Sequence, residues 1–212
     1  MRDIEDLWRN AKWSNIIYVE LGNLDAVSDS SQGVTASVAL TGLHNNNGLG
    51  RGRTADEIAI GSAVGATLYL GKIVNGNKIE VFDSVGLDSC IDNPSYYRDP
   101  YVSDDSEDRS AFVLAGLSRG VDLKKTCQDP NGLDPVMVWL AKPSSEGTGE
   151  SAGVAAPWTR ELLFEDDGTR IRTASAAGLV GIDPKKENGE KKAWLFTTGF
   201  MSNSILAVKI PI

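Results

Sequence analysis

Thr67-Leu68-Tyr69-Leu70-Gly71-Lys72-Ile73-Val74-Asn75-Gly76-Asn77-Lys78-Ile79-Glu80-Val81-Phe82-Asp83 carries the reading of the fold. Two short runs rich in apolar, aromatic and β-branched residues flank an Asn-Gly pair. That pair is the residue choice for a tight hairpin turn, where positive φ is required. Comparable runs recur at 16–20, 34–40, 57–60, 66–72, 78–85, 111–115, 136–141, 161–164, 169–173, 177–182, 192–198 and 204–210, between turn signals that include Asp167-Gly168 and Asn188-Gly189. Helical periodicity is nearly absent after the first dozen residues. The chain therefore reads as all-β. About twelve strands, taken four to a blade, would build three blades of a β-propeller.

At 212 residues, 41% hydrophobic and 24% charged, the chain can bury a substantial core, and a single domain over 1–212 is expected. The formal net charge of −8 argues against a nucleic-acid surface or an anionic-membrane partner, both of which need clustered Lys and Arg. It suits a cation. No stretch is apolar over the roughly 18 or more residues of a membrane helix, so no membrane span is expected. Met1-Arg2-Asp3-Ile4-Glu5-Asp6 lacks the apolar core of a secretory signal, and the compartment is left open. Cys90 and Cys127 read as two buried thiols in preference to one bridge. The segments 96–109, with the acidic run Asp104-Asp105-Ser106-Glu107-Asp108, and 142–153, rich in Ser, Gly and Glu, read as surface loops.

Two polar clusters carry candidate chemistry: Asn45-Asn46-Asn47-Gly48 and Asp92-Asn93-Pro94. They offer a carboxylate and side-chain amides at strand ends, with no Lys or Arg inside either cluster. These are hard oxygen donors of the kind calcium takes. Residues 47 and 92 are 45 positions apart (92 − 47), about one blade, so in a propeller both would point to the central channel. The bland reading of the same residues is a loop and a turn initiator. Three other motifs carry less. Gly116-Leu117-Ser118-Arg119-Gly120 has nucleophile-elbow spacing, but no convincing helix follows and the one histidine precedes the serine. Gly48-Leu49-Gly50-Arg51-Gly52 lacks the setting of a dinucleotide site. Two cysteines and one histidine are too few for zinc. Trp139 and Trp194 fall inside strands and read as packing between blades.

The order of these clusters also carries a family likeness. Asn47-Gly48, the pair Leu68-Tyr69-Leu70 and Ile79-Glu80-Val81-Phe82, then Ile91-Asp92-Asn93, resemble the second half of the paraoxonase/arylesterase family. Trp13-Ser14-Asn15-Ile16-Ile17-Tyr18, Thr173-Ala174-Ser175-Ala176, Leu195-Phe196-Thr197-Thr198-Gly199 and Ile205-Leu206-Ala207-Val208 are similar to flanking strands of that family. The likeness runs from about Leu7 to the C-terminus and is poor over 103–151. It implies the C-terminal half of a six-bladed propeller and a calcium-dependent hydrolase of aryl esters, lactones or organophosphates. Asn47, Asp92 and Asn93 would be metal ligands. The family's acidic pair, further Asn and histidine pair belong to blades not represented here, which leaves the catalytic residues unassigned and activity of this chain alone doubtful. His44, the single histidine, matches neither family histidine; a substrate-side role is weighed against that of an ordinary loop residue. The alternatives are a non-catalytic propeller fragment or binding module, and a sugar-acid lactonase or strictosidine-synthase-like propeller. A partial ring would expose blade edges and faces, with self-association as a consequence.

Overall fold

The structure is a computed structural model that describes residues 11–22, 33–103, 106–144 and 158–212. It is all-β, as the patterning predicts. Thirteen strands lie among the described residues: β1 (Ser14–Leu21), β2 (Val34–Leu43), β3 (Asn46–Arg51), β4 (Glu57–Ser62), β5 (Thr67–Val74), β6 (Lys78–Gly86), β7 (Cys90–Tyr97), β8 (Ala111–Leu117), β9 (Val136–Pro143), β10 (Trp158–Asp166), β11 (Ala174–Ile182), β12 (Lys192–Gly199) and β13 (Leu206–Pro211). One short helix, α1 (Leu123–Thr126), interrupts them.

The strands form a hairpin, β1-β2, a four-stranded meander, β3-β4-β5-β6, and a curled seven-stranded sheet in the order β10-β9-β8-β7-β11-β12-β13. The last is two antiparallel meanders joined where β7 meets β11 in parallel, at the bridge Asn93–Ala176. The groups thus hold two, four, four and three strands, where three equal groups of four were expected.

Three apolar layers join the groups in sequence. Ile16 and Ala39 of the hairpin pack with Ile60 and Ile79 of the four-stranded sheet. The other face of that sheet, with Leu68, Leu70 and Val85, meets Phe112, Leu114 and Trp139. Val113, Val138 and Leu140, on the opposite face of the β7–β10 meander, then meet Ala177, Leu195 and Ile210. This explains the near-continuous apolar run of β8, Ala111–Leu117: both its faces are buried. Trp139 packs as anticipated, with its indole N–H donated to Ser89 Oγ at 2.9 Å.

The two ends of the stack are apolar and uncovered. Ile17, Val19 and Leu21 project outward, opposite Val38, Ala36 and Val34 respectively. At the other end Val180, Trp194 and Phe196 are exposed, with Lys209 over the Trp194 ring. Trp194 therefore packs on an outer face instead of between sheets.

Asn75-Gly76 forms the expected tight turn between β5 and β6, with φ of 33° and 70°. Gly168 and Gly189 also adopt positive φ, in longer connections. The run 169–173 forms no strand and is the connection into β11. Two strands were not among the expected runs, β3 and β7, and they carry the polar clusters. The segment 96–109 begins inside β7 and is anchored by buried Asp99. Its carboxylate accepts from Tyr101 N and Lys191 Nζ, at 2.8 and 2.7 Å. Most of the 142–153 loop lies outside the described residues. No described helix is long and apolar enough to cross a membrane.

Glycine permits β7 to sit deep in this stack. A Cβ on Gly48 would fall 2.5 Å from the Asn93 Cα, one on Gly61 would fall 2.3 Å from Asp92 O, and one on Gly116 would fall 1.7 Å from Cys90 O. Gly116→Ala should lower unfolding free energy by about 2–3 kcal/mol in chemical denaturation, the cost of overpacking a closed site. Gly178→Ala, whose Cβ meets nothing within 4 Å, should change it by about 0.5 kcal/mol or less.

Candidate functional site

The strands β3, β7 and β11 each carry an irregularity in the same place, near their N-terminal ends. In β3 the pairing shifts between Asn46 and Leu49, bracketing Asn47-Gly48. In β7 it shifts between Ile91 and Pro94, bracketing Asp92-Asn93. In β11 it shifts between Ala174 and Ala176, at Ser175. A bulge leaves a residue unpaired and re-aims its side chain, and bulges concentrate at functional sites. Asn, Asp and Gly weaken a strand's sequence signal while fitting such an irregularity. The bland loop-and-turn reading thus gives way to polar residues inside bulged strands.

Asn47 and Asp92 line one cavity of about 390 Å³, within the size range of small-molecule sites. Its remaining wall is mostly apolar and includes Ile91, Leu117, Val121, Leu123 and Phe200, with Cys90 beside Asp92. Asn93 is not part of that lining. Its Nδ2 donates to Ser175 O at 3.0 Å, which orients the carboxamide. A Cβ on Gly48 would fall 2.5 Å from Asn93 Oδ1, so glycine there leaves room for that oxygen. Asn-Gly therefore serves two ends: Asn47 faces the cavity, and Gly48 admits Asn93.

His44 is 7% exposed, beside Gly65 and Ser62, with its carbonyl accepting from Ser62 Oγ. It does not line the cavity. Both amide atoms of Asn46 are buried with no partner among the described residues. The two cysteines are free and partly buried, Cys90 on the cavity wall and Cys127 at the end of α1. Ser118, in the elbow-like motif, donates to Pro135 O at 3.3 Å.

The Asp92 carboxylate is the electrostatic feature of the site. It is half-buried, and no described group donates a hydrogen bond to it or forms an ion pair with it. Burial alone pushes its pKa up to about 6 from an ordinary 3.8. A lone carboxylate in an apolar recess, with an amide on the same wall, is matched in kind to a hard cation. The set is short in number, since calcium takes about 6–8 oxygens. Among the described residues no group of three or more His, Cys, Asp or Glu side chains comes together. A cation here would rely on amide and carbonyl oxygens and water besides Asp92. Val121 and Phe200, apolar contributors to the wall, were not singled out in the sequence. Their only signal is a large apolar side chain between strands; Val121 lies in a short 3₁₀ helix and Phe200 in a turn, 78% and 58% exposed respectively.

No protein-family model matches this chain, and no curated protein matches it either.

The pH dependence follows from the raised Asp92 pKa. Between about pH 4 and pH 6 the folded state keeps a proton that the unfolded chain has released. The stability so gained is complete at the acid end and is lost as pH rises through about 6. With solvent screening of a half-exposed group allowed for, the effect is on the order of 1 kcal/mol. Asp92→Asn should remove this slope from a plot of unfolding free energy against pH over that window, and should raise stability at neutral pH in metal-free buffer.

Proposed function

We propose that the cavity is the ligand site of a calcium-dependent ester or lactone hydrolase built on part of a β-propeller. The observation that carries this reading is the unpaired Asp92 carboxylate on a wall shared with Asn47, between neighbouring bulged strands. Further support comes from the architecture. The groups of strands stack face to face through three apolar layers, β7 runs parallel to β11, and β7 packs against β3 and β4 at Gly48 and Gly61. Face-to-face stacking of antiparallel meanders is what a propeller would require of its blades.

In this reading Asp92 supplies the negative charge and Asn47 a neutral oxygen donor, while Asn93, fixed by Ser175, presents its amide oxygen beside Gly48. When bound, calcium supplies Lewis-acid polarisation of a substrate carbonyl or phosphoryl oxygen. The apolar wall takes the organic part of the substrate. A single carboxylate puts the expected affinity in the weak range, roughly 10⁻⁴–10⁻³ M. Calcium at about 100 times its Kd should stabilise the fold by about 2.7 kcal/mol, seen as a raised Tm. Asp92→Ala should abolish the shift. Hydrolysis of an aryl acetate should be lost in chelator and reduced at least about 100-fold in kcat/KM by the same substitution. A melting curve unmoved by about 100 mM calcium, roughly 100 times the weakest Kd expected, contradicts the reading.

A non-catalytic binding module is the second reading, favoured by the two uncovered apolar end faces. These also support self-association, since exposed apolar patches of this kind mark contact surfaces. Val19→Lys and Phe196→Lys should each lower the weight-average mass in sedimentation. Equal masses for wild type and both variants would speak against association through these faces.

A further inference from the structure

Arg172 lies in the connection into β11, and its side chain is nearly buried. Its Nε and Nη2 bind Asp134 Oδ2, at 2.8 and 2.7 Å. Nη2 also donates to Thr126 O at 2.9 Å, and Nη1 donates to Asp129 O and Pro130 O at 3.0 and 3.3 Å. The donors of the guanidinium are thus spent on one stretch of chain, the β8–β9 connection, an arrangement that uses the planar fork of arginine. Thr126 Oγ1 in turn donates to Asp134 Oδ1. This connection contributes Val121 and Leu123 to the cavity wall.

The main chain at the same point holds a second part of the wall. Arg172 N donates to Ser202 Oγ at 2.9 Å, and Ser202 Oγ donates back to Arg172 O at 2.8 Å. Thr173 Oγ1 accepts from Met201 N at 2.8 Å, and Thr173 O accepts from Phe200 N at 3.3 Å. These bonds fix the turn that brings Phe200 to the cavity. Thr173 is held at φ 52°, a left-handed conformation that a β-branched residue rarely adopts. Such residues persist where surrounding bonds over-determine them, and they cluster at functional sites. The next residue, Ala174, lines the cavity itself.

We infer that Arg172 is a positioning residue for the cavity: it ties the β8–β9 connection and the Phe200 turn to one point, and so sets the width of the apolar wall and the size of the apolar group a ligand can lodge there. The inference rests on the reading that this cavity is the ligand site. A residue closing a surface loop for stability alone would need neither Thr173 beside it in a rare conformation nor main-chain bonds to the separate turn at Phe200.

Cys90 gives a readout that needs no substrate. Its Sγ lies under the β8–β9 connection, 2.6 Å from where a Cβ on Gly120 would fall, so displacement of that connection uncovers the sulfur. In a Cys127→Ser background, Cys90 becomes the single thiol. Its rate of modification by 5,5′-dithiobis(2-nitrobenzoate), at one pH and well below Tm, should rise at least about 10-fold in Arg172→Lys, which keeps the charge and loses the fork. Asp134→Asn, a milder change in the same network, should give an intermediate increase and serves if Arg172→Lys does not fold. Leu195→Ala, a core change away from these bonds, controls for general destabilisation and should leave the rate near that of wild type. A wild-type rate in the folded Arg172 and Asp134 variants, or an equal rise in Leu195→Ala, overturns the inference. Where aryl esters are hydrolysed, Arg172→Lys should also shift the kcat/KM ratio between 1-naphthyl and phenyl acetate through KM. Faster modification of Cys90 without any hydrolysis would uphold the positioning role while refuting the hydrolase reading.

Discussion

The close approach of β7 to its neighbours is the constraint on which the rest of the structure depends. Its backbone passes Gly48 of β3, Gly61 of β4 and Gly116 of β8 at separations that leave no room for a Cβ. Only because those positions are bare can the Asp92-Asn93 bulge lie beside the Asn47-Gly48 bulge, with both at one end of the stack. Bulk at Gly48 or Gly61 would push the two sheets apart, and bulk at Gly116 would force β7 away from β8, its neighbour in the same sheet. Glycine normally weakens a strand; here its cost is offset by the apolar layer between the two sheets, where Leu68, Leu70, Phe112 and Leu114 are completely buried.

Placing a carboxylate at such a junction has an electrostatic consequence. No described cation stands near Asp92, whose shift has burial as its single cause, while the buried guanidinium of Arg172 is committed to Asp134. Asp134 and Asp92 make an instructive pair. The first is buried and fully matched by an arginine fork and a threonine hydroxyl, as buried charges in a stable frame ordinarily are. The second is half-buried and unmatched, its pKa raised by desolvation. Unmatched charge in a recess is expensive to keep, and perturbed titration in a cleft is a mark of functional sites. The frame around Arg172 and the half-buried Asp92 carboxylate divide the work between rigidity and chemistry.

The apolar strands, buried ones included, were legible in the sequence, and the two strands that carry the polar clusters were not. Strands such as β5, β8, β9 and β12 announce themselves because β-branched and aromatic residues fill both faces. β3 and β7 do not, because Asn, Gly and Pro at positions 46–50 and 92–94 are types that strand propensity disfavours. Their polar residues were visible as donors for a cation, while their setting in paired, bulged strands depended on partners distant in sequence. The run 169–173 misleads for the converse reason. Ile171 and Thr173 are spaced like strand residues, but they are buried because a connection passes through the core and is tied down by Arg172. The Arg172 network joins residues about 40 positions apart, such as Asp134 and Arg172, and nothing local signals it.

The account stands most directly on whether Asp92 takes up a cation in place of its proton. Titrating calcium calorimetrically into the protein, in buffers of different ionisation enthalpy, counts the protons displaced on binding. The raised pKa predicts release of about half a proton per calcium near pH 6, falling toward zero by about pH 8 and absent in Asp92→Asn. No heat of binding, or a proton count unaffected by that substitution, would contradict the account.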